Sequence, residues 1–269
     1  MIYGILLVYY EDRRRQALEK FFDIVGRLGD DFKVVVVNNA KLGIWVTDCK
    51  KFVEIGGDNR VREFSGWDRG IQYIKTNFVI QEDDIFIIAN DTFCFHRNWH
   101  ALKRNWFIDS VAKLRAEMCT GICGEVSTFG KSFELVGLRA DNWVSTYLFG
   151  LTGSYVINSD FRLSLTENEL SLMVQDIKNG QIIWREAVDA NLQIHLQKWL
   201  FPPEGVTGWY SARVTNDKIK LQKLRAIMNE KYLSAKCCNM GGCIIDVERP
   251  LWFKLLDNVR LFMRSLRVK

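Results

Sequence analysis

The chain begins with an unbroken apolar run, Gly4 to Tyr10, and then changes period: Leu18, Phe21, Phe22, Val25 and Leu28 recur three or four residues apart within Glu11 to Leu28. The first pattern predicts a strand covered on both faces and the second an amphipathic helix. The unit repeats. Phe32 to Val37 is another apolar run and stops at Asn38-Asn39, polar residues suited to a strand-end loop. Phe52 to Ile55 reads as a short third strand, Trp67, Ile71 and Ile74 share one face of a following helix, and Asp84 to Ile88 reads as a strand ending at Ala89-Asn90-Asp91-Thr92. Alternation of this kind predicts an α/β protein with a predominantly parallel central sheet flanked by helices. Ligands of such sheets lie beyond the carboxyl ends of the strands. Three polar segments fall there: Asn38-Asn39, Gly56 to Asp68, and Asn90-Asp91-Thr92.

Beyond residue 105 the periodicity weakens. Trp143 to Asn158 is rich in aromatic and β-branched residues and reads as further strand, with Gly150 and Gly153 leaving room for a turn or a close ligand. Thr166 to Ile177 and Ala187 to Leu200 read as helices, the latter stopped by Pro202-Pro203. From Leu251 to Lys269, Trp252, Leu255, Val259, Phe262 and Leu266 form an apolar stripe beside Lys254, Arg260, Arg264 and Arg267. Such a basic amphipathic helix suits either an anionic membrane surface or the protein's own core.

At 269 residues the chain accommodates one large domain or one domain with an appendage. With 48% hydrophobic residues, 26% charged and 3 prolines, it is neither disordered, collagen-like nor linker-rich. A net charge of +5 permits an anionic partner, but the basic residues gather at one end without a readout motif, so no nucleic acid is expected. No apolar stretch reaches about 18 residues, and Met1 to Tyr10 has no positive segment before its apolar run, which predicts a cytoplasmic protein. Seven cysteines, an odd number, argue against a disulfide framework. Neither Cys119/Cys123 nor Cys237/Cys238/Cys243 has C-x2-C zinc spacing, so ordinary buried thiols are expected.

The phosphate loop G-x4-G-K-[ST] is absent, Gly56-Gly57 is not a dinucleotide fingerprint, and there is no G-x-S-x-G elbow. His96 and His100 are four apart but lack H-E-x-x-H. What remains is Asn38-Asn39, then REFSGWDRG at Arg62 to Gly70, then IIANDT at Ile87 to Thr92. This order resembles the nucleotide-sugar-binding half of an inverting, family-2-like glycosyltransferase of the GT-A type. The resemblance covers about the first 160 residues. It implies a single GT-A-like domain over 1–269, with a donor-binding half at 1–105, an acceptor-side half at 106–212 and a C-terminal extension at 213–269.

The resemblance implies that Asn38 or Asn39 helps hold the nucleotide base and that Arg62, Glu63, Ser65 and Asp68 are the polar candidates of the second loop. Asn90 and Asp91 match the end of the family's D-x-D motif, although Ala89 stands where the first acid belongs. Asp91 is then a contact to donor-bound Mg²⁺ or Mn²⁺, a ligand of a donor hydroxyl, or a structural turn. Glu186 and Asp189 are the counterparts of the acceptor-activating base, or else solvated carboxylates at a helix start. Trp67 also fits a core position and Ser65 a helix cap, while Arg62 and Arg69 suit either phosphate or a neighbouring carboxylate. The resemblance further implies a nucleotide-sugar donor, a glycan or lipid-linked acceptor, and cell-envelope polysaccharide synthesis at the cytoplasmic membrane face. A nucleotidyltransferase or other nucleotide-sugar enzyme and a non-enzymatic nucleotide- or sugar-binding protein are the competing classes.

Overall fold

A computed structural model describes residues 1–95, 99–204, 206, 208–209 and 211–247. The first part runs β1 (Ile2–Val8), α1 (Glu11–Leu28), β2 (Phe32–Leu42), β3 (Val46–Cys49), β4 (Phe52–Gly57), α2 (Glu63–Asn77) and β5 (Ile85–Asn90). It continues through α3 (Ala101–Ala116), β6 (Gly121–Ser127), the hairpin β7 (Phe133–Leu135) and β8 (Leu138–Ala140), β9 (Trp143–Thr152) and α4 (Gly153–Asn158). The last part holds α5 (Glu167–Met173), the hairpin β10 (Val174–Lys178) and β11 (Gln181–Trp184), α6 (Ala190–Leu200), α7 (Asp217–Asn239) and β12 (Cys243–Asp246).

The central sheet is eight-stranded among the described residues, in the order β12-β6-β9-β5-β1-β2-β4-β3. Pairings β1/β2, β1/β5, β2/β4 and β12/β6 are parallel, whereas β9 runs antiparallel between β5 and β6, and β3 antiparallel on the edge. The unbroken apolar runs follow from burial on both faces. Tyr3, Ile5, Leu7, Val35 and Val37 pack towards Trp67, Ile71, Tyr155 and Leu233, while Ile2, Leu6, Val8, Val34 and Val36 pack towards Phe21, Ile24, Phe107 and Val111. Successive residues thus serve opposite faces, as the two-residue repeat of a strand requires. A third cluster, containing Phe133, Trp143, Leu192 and Met228, is built by the two hairpins, α5, α6 and α7.

Four local expectations change, the first being the strand expected over Trp143 to Asn158, which ends at Thr152 where Gly153–Asn158 becomes helix α4. β2 does not stop at Asn38-Asn39 but runs on to Leu42 through an irregularity against β4. Asn38 Oδ1 accepts from the backbone N–H groups of Ala40 and Lys41, which lets the strand bulge and continue. The helix expected over Thr166 to Ile177 ends at Met173, and Val174 turns into a strand. Thr166 and Glu169 form a reciprocal capping box at its start, and Asn179-Gly180, both at positive φ (51° and 75°), close the β10–β11 hairpin. The helix expected over Ala187 to Leu200 begins at Ala190, because Asp189 caps it.

The room left by Gly150 and Gly153 is taken by the protein itself. A side chain at Gly150 would meet Cys123 Sγ at 2.7 Å, and one at Gly153 would collide with the Gln81 carbonyl. No described helix is long and apolar enough to cross a membrane. The basic stretch 251–269, and with it the membrane-surface expectation, lies outside the described residues, as does His96.

Candidate functional site

A cleft of about 730 Å³ opens at the carboxyl ends of β1, β2 and β5. Tyr9, Tyr10 and Arg13 enter it from the β1–α1 corner, Asn39 from β2, Arg62 and Glu63 from the start of α2, and Asn90, Asp91 and Thr92 from the end of β5. Because β9 is antiparallel to β5, its beginning, Ser145 to Tyr147, reaches the same edge. Gln222, Lys223 and Glu230 on α7, with Trp199 and Trp209, complete the far wall. A larger hollow of about 860 Å³ lies between α2, Trp45 and the segment Asn158 to Glu167. The strand-end cleft is the better candidate despite its smaller volume, since ligands of open α/β sheets bind at that edge.

Asp91 holds the cleft's corner together. Its Oδ2 accepts the backbone N–H groups of Tyr9 and Tyr10, each at 2.6 Å, joining the end of β5 to the turn after β1. Burial raises its pKa, opposed by those two hydrogen bonds. Asn90 Oδ1 meanwhile accepts from the Thr92 backbone N–H and hydroxyl at 3.1 and 2.7 Å, fixing the turn.

Asn39 is 2% exposed. Its amide nitrogen donates to the Arg62 carbonyl at 2.9 Å, while Oδ1 is buried without a partner among the described residues. Gly57 makes this packing possible, since any side chain there would strike the Asn39 amide. Arg62 sits at φ 51°, a left-handed conformation seldom adopted by non-glycine residues, and its Nε is likewise buried and unpartnered among the described residues. An unusual backbone and an orphan donor thus coincide at the cleft wall. Arg13 stacks over Tyr10, 4.4 Å from the ring centre, and Trp199 and Trp209 stack on each other at 6.2 Å, an aromatic surface suited to a base or a sugar ring.

Glu230 is anchored by one oxygen. Its Oε2 accepts from the backbone N–H and hydroxyl of Thr146, both at 3.0 Å, and Ser234 one turn later accepts from the Val144 N–H at 2.9 Å. These bonds fix α7 against β9 and present the rest of the carboxylate at the cleft.

Of the residues singled out in sequence, Asn39, Arg62, Glu63, Asn90 and Asp91 line this cleft, whereas Asn38, Ser65, Asp68, Glu186 and Asp189 do not. Asn38 donates to Glu54, which also holds Arg14 through two hydrogen bonds of 2.7 and 2.8 Å, making a buried tie from β2 to β4 and α1. Asp68 accepts from the Leu163 and Ser164 N–H groups and the Ser164 hydroxyl, and faces the larger hollow. Ser65 is inside α2 rather than capping it, with Arg62 at the cap position. Arg69 donates to the Gly43 carbonyl at 3.0 Å and also faces the larger hollow.

Trp67 is core, wholly buried and donating to the Ala89 carbonyl at 3.2 Å. Glu186 and Asp189 line a separate hollow with Glu134 and Glu169, and Asp189 accepts from the Asn191 and Leu192 N–H groups at the start of α6. His100 caps α3, accepting from the Lys103 N–H at 3.4 Å.

No group of three or more His, Cys, Asp or Glu side chains suited to a metal gathers among the described residues. Asp91 is the acid at the expected motif, and one of its oxygens already serves two amides. That donor set does not fit a cation held by the protein's side chains alone.

The sheet order, the helices on both faces and the strand-end cleft make this an α/β protein whose architecture matches the description of a GT-A-like fold. No protein-family model matches the chain, and no curated protein matches it.

Proposed function

We propose that the protein is a glycosyltransferase that binds a nucleotide-sugar in the strand-end cleft and passes the sugar to an acceptor hydroxyl with inversion. The reading rests above all on one juxtaposition: the ends of β1, β2 and β5 converge with Arg13, Arg60, Arg62 and Lys223 around a cleft walled by Trp199 and Trp209. Guanidinium and ammonium groups suit the two phosphates and the charge that grows on them as the bond to the sugar breaks. The aromatic pair offers a stacking face. A glycan or lipid-linked alcohol is the proposed acceptor class, with cell-envelope polysaccharide as the product.

Glu230 is the proposed base. It removes the acceptor's hydroxyl proton as that oxygen attacks the anomeric carbon and the nucleoside diphosphate departs from the opposite side. Asp91 acts by holding Tyr9 and Tyr10 in place.

Asp91→Ala is expected to weaken nucleoside-diphosphate binding at least about tenfold, since it removes the acceptor of two amides. Asp91→Asn keeps an oxygen that both can reach and should bind close to the parent. Titration calorimetry with nucleoside diphosphates measures both. Unchanged affinity in the alanine variant would contradict a donor site at this corner.

A further inference from the structure

Cys119 stands just before β6 and Cys243 opens β12, far apart in sequence yet with their sulfur atoms in contact at 2.7 Å. The surrounding backbone fixes this meeting. Cys243 is paired in parallel with Gly121, and its N–H donates to the Thr120 carbonyl at 2.9 Å. Both side chains are only partly buried, whereas Cys94, Cys123 and Cys237 are buried. A small reagent can therefore reach the pair.

We propose that Cys119 and Cys243 are a redox modification site: they close a reversible disulfide by exchange with a small-molecule disulfide such as oxidised glutathione, fastening β12 to the loop ahead of β6. In the first step the Cys119 thiolate attacks one sulfur of the small disulfide, forming a mixed disulfide and releasing one thiolate. The Cys243 thiol then loses its proton to solvent and attacks the Cys119 sulfur, releasing the second thiolate. The protein loses two electrons and two protons, and the small disulfide becomes two thiols. Burial and the neighbouring Cys119 push the Cys243 thiol up, so in this sequence of steps it gives up its proton only once the mixed disulfide lies against it.

The consequence is mechanical. β12 is a four-residue edge strand held to β6, and Val247 after it leads into the basic segment 251–269. A bond at Cys243 anchors the chain just ahead of that segment and closes a loop spanning 124 positions, which restricts the unfolded chain.

The test is the full-length protein equilibrated in glutathione buffers of increasing oxidation, quenched by alkylation and mapped by mass spectrometry. The expected result is a fall from seven free thiols to five, a peptide pair joined through Cys119 and Cys243, and a reductant-reversible rise in Tm of roughly 5 °C or more. Cys119→Ser and Cys243→Ser should each abolish the joined pair, and Cys94→Ser should leave it intact. Equal alkylation of both thiols throughout, a bond to Cys237 or Cys238 instead, or a glutathione adduct that never closes would each overturn the proposal.

Discussion

Glu230→Gln is expected to lower sugar transfer about 10²- to 10⁴-fold while leaving donor affinity near that of the parent. The two contacts that hold Glu230 are both donors, the N–H and the hydroxyl of Thr146, and both point at Oε2. A glutamine carbonyl oxygen can accept them equally, so α7 keeps its place against β9 and the cleft keeps its shape. What is lost is the ability to take up a proton. Steady-state kinetics together with nucleoside-diphosphate titration separate the two effects. Glu186→Gln, altering a side chain in a different hollow, should transfer sugar near the parent rate. If the Glu186 variant lost turnover and the Glu230 variant kept it, the base would be misassigned.

The second large effect concerns stability. Lys231 is 1% exposed, and its ammonium lies 3.1 Å from the centre of the Trp143 ring. Phe129, Phe133 and His195 pack around that tryptophan, and His195 stacks on Phe129 at 4.5 Å. Burial lowers Lys231 to about 7, and burial together with the charge of Lys231 lowers His195 to about 4. Both groups bind protons more weakly in the folded protein than in the unfolded chain, so both make stability rise with pH. The His195 contribution is lost as pH falls from 6.5 towards 4, and the Lys231 contribution grows from about 7 up to 10.5, the ordinary lysine value.

Lys231→Met keeps the volume and removes the charge. It is expected to stabilise the protein by about 1–3 kcal/mol at neutral pH and below, and to flatten the rise above pH 7. Thermal unfolding of both proteins from pH 5 to 10 checks this. A methionine variant less stable at pH 6, with the alkaline rise intact, would show that the ammonium is well accommodated on Trp143.

The parallel sheet was legible because burial on both faces leaves uninterrupted apolar runs, and β1 and β2 supply them. The β10–β11 hairpin was also written in the sequence, as Asn179-Gly180, but the apolar residues before it fit a helix equally well. Within the cleft, residues at strand ends could be named in advance because topology puts them there, as with Asn39 and Asp91. Asn38 and Asp68 could not be told from their neighbours: their polar groups are engaged by Glu54 and Ser164, partners far along the chain. Glu230 was invisible for a similar reason. Its seven-residue spacing from Lys223 puts both on one face of α7, but only the packing of α7 on β9 brings that face to the cleft.

Product analysis tests the central claim most directly. The protein is incubated with a panel of nucleotide-sugars and with glycan and lipid-linked alcohols as acceptors, and the released nucleotide and the new linkage are identified. Release of a nucleoside diphosphate in step with an inverted glycosidic bond, abolished by Glu230→Gln, is the predicted result. Pyrophosphate release would assign nucleotidyl transfer instead, and donor binding without turnover across the panel would contradict the account.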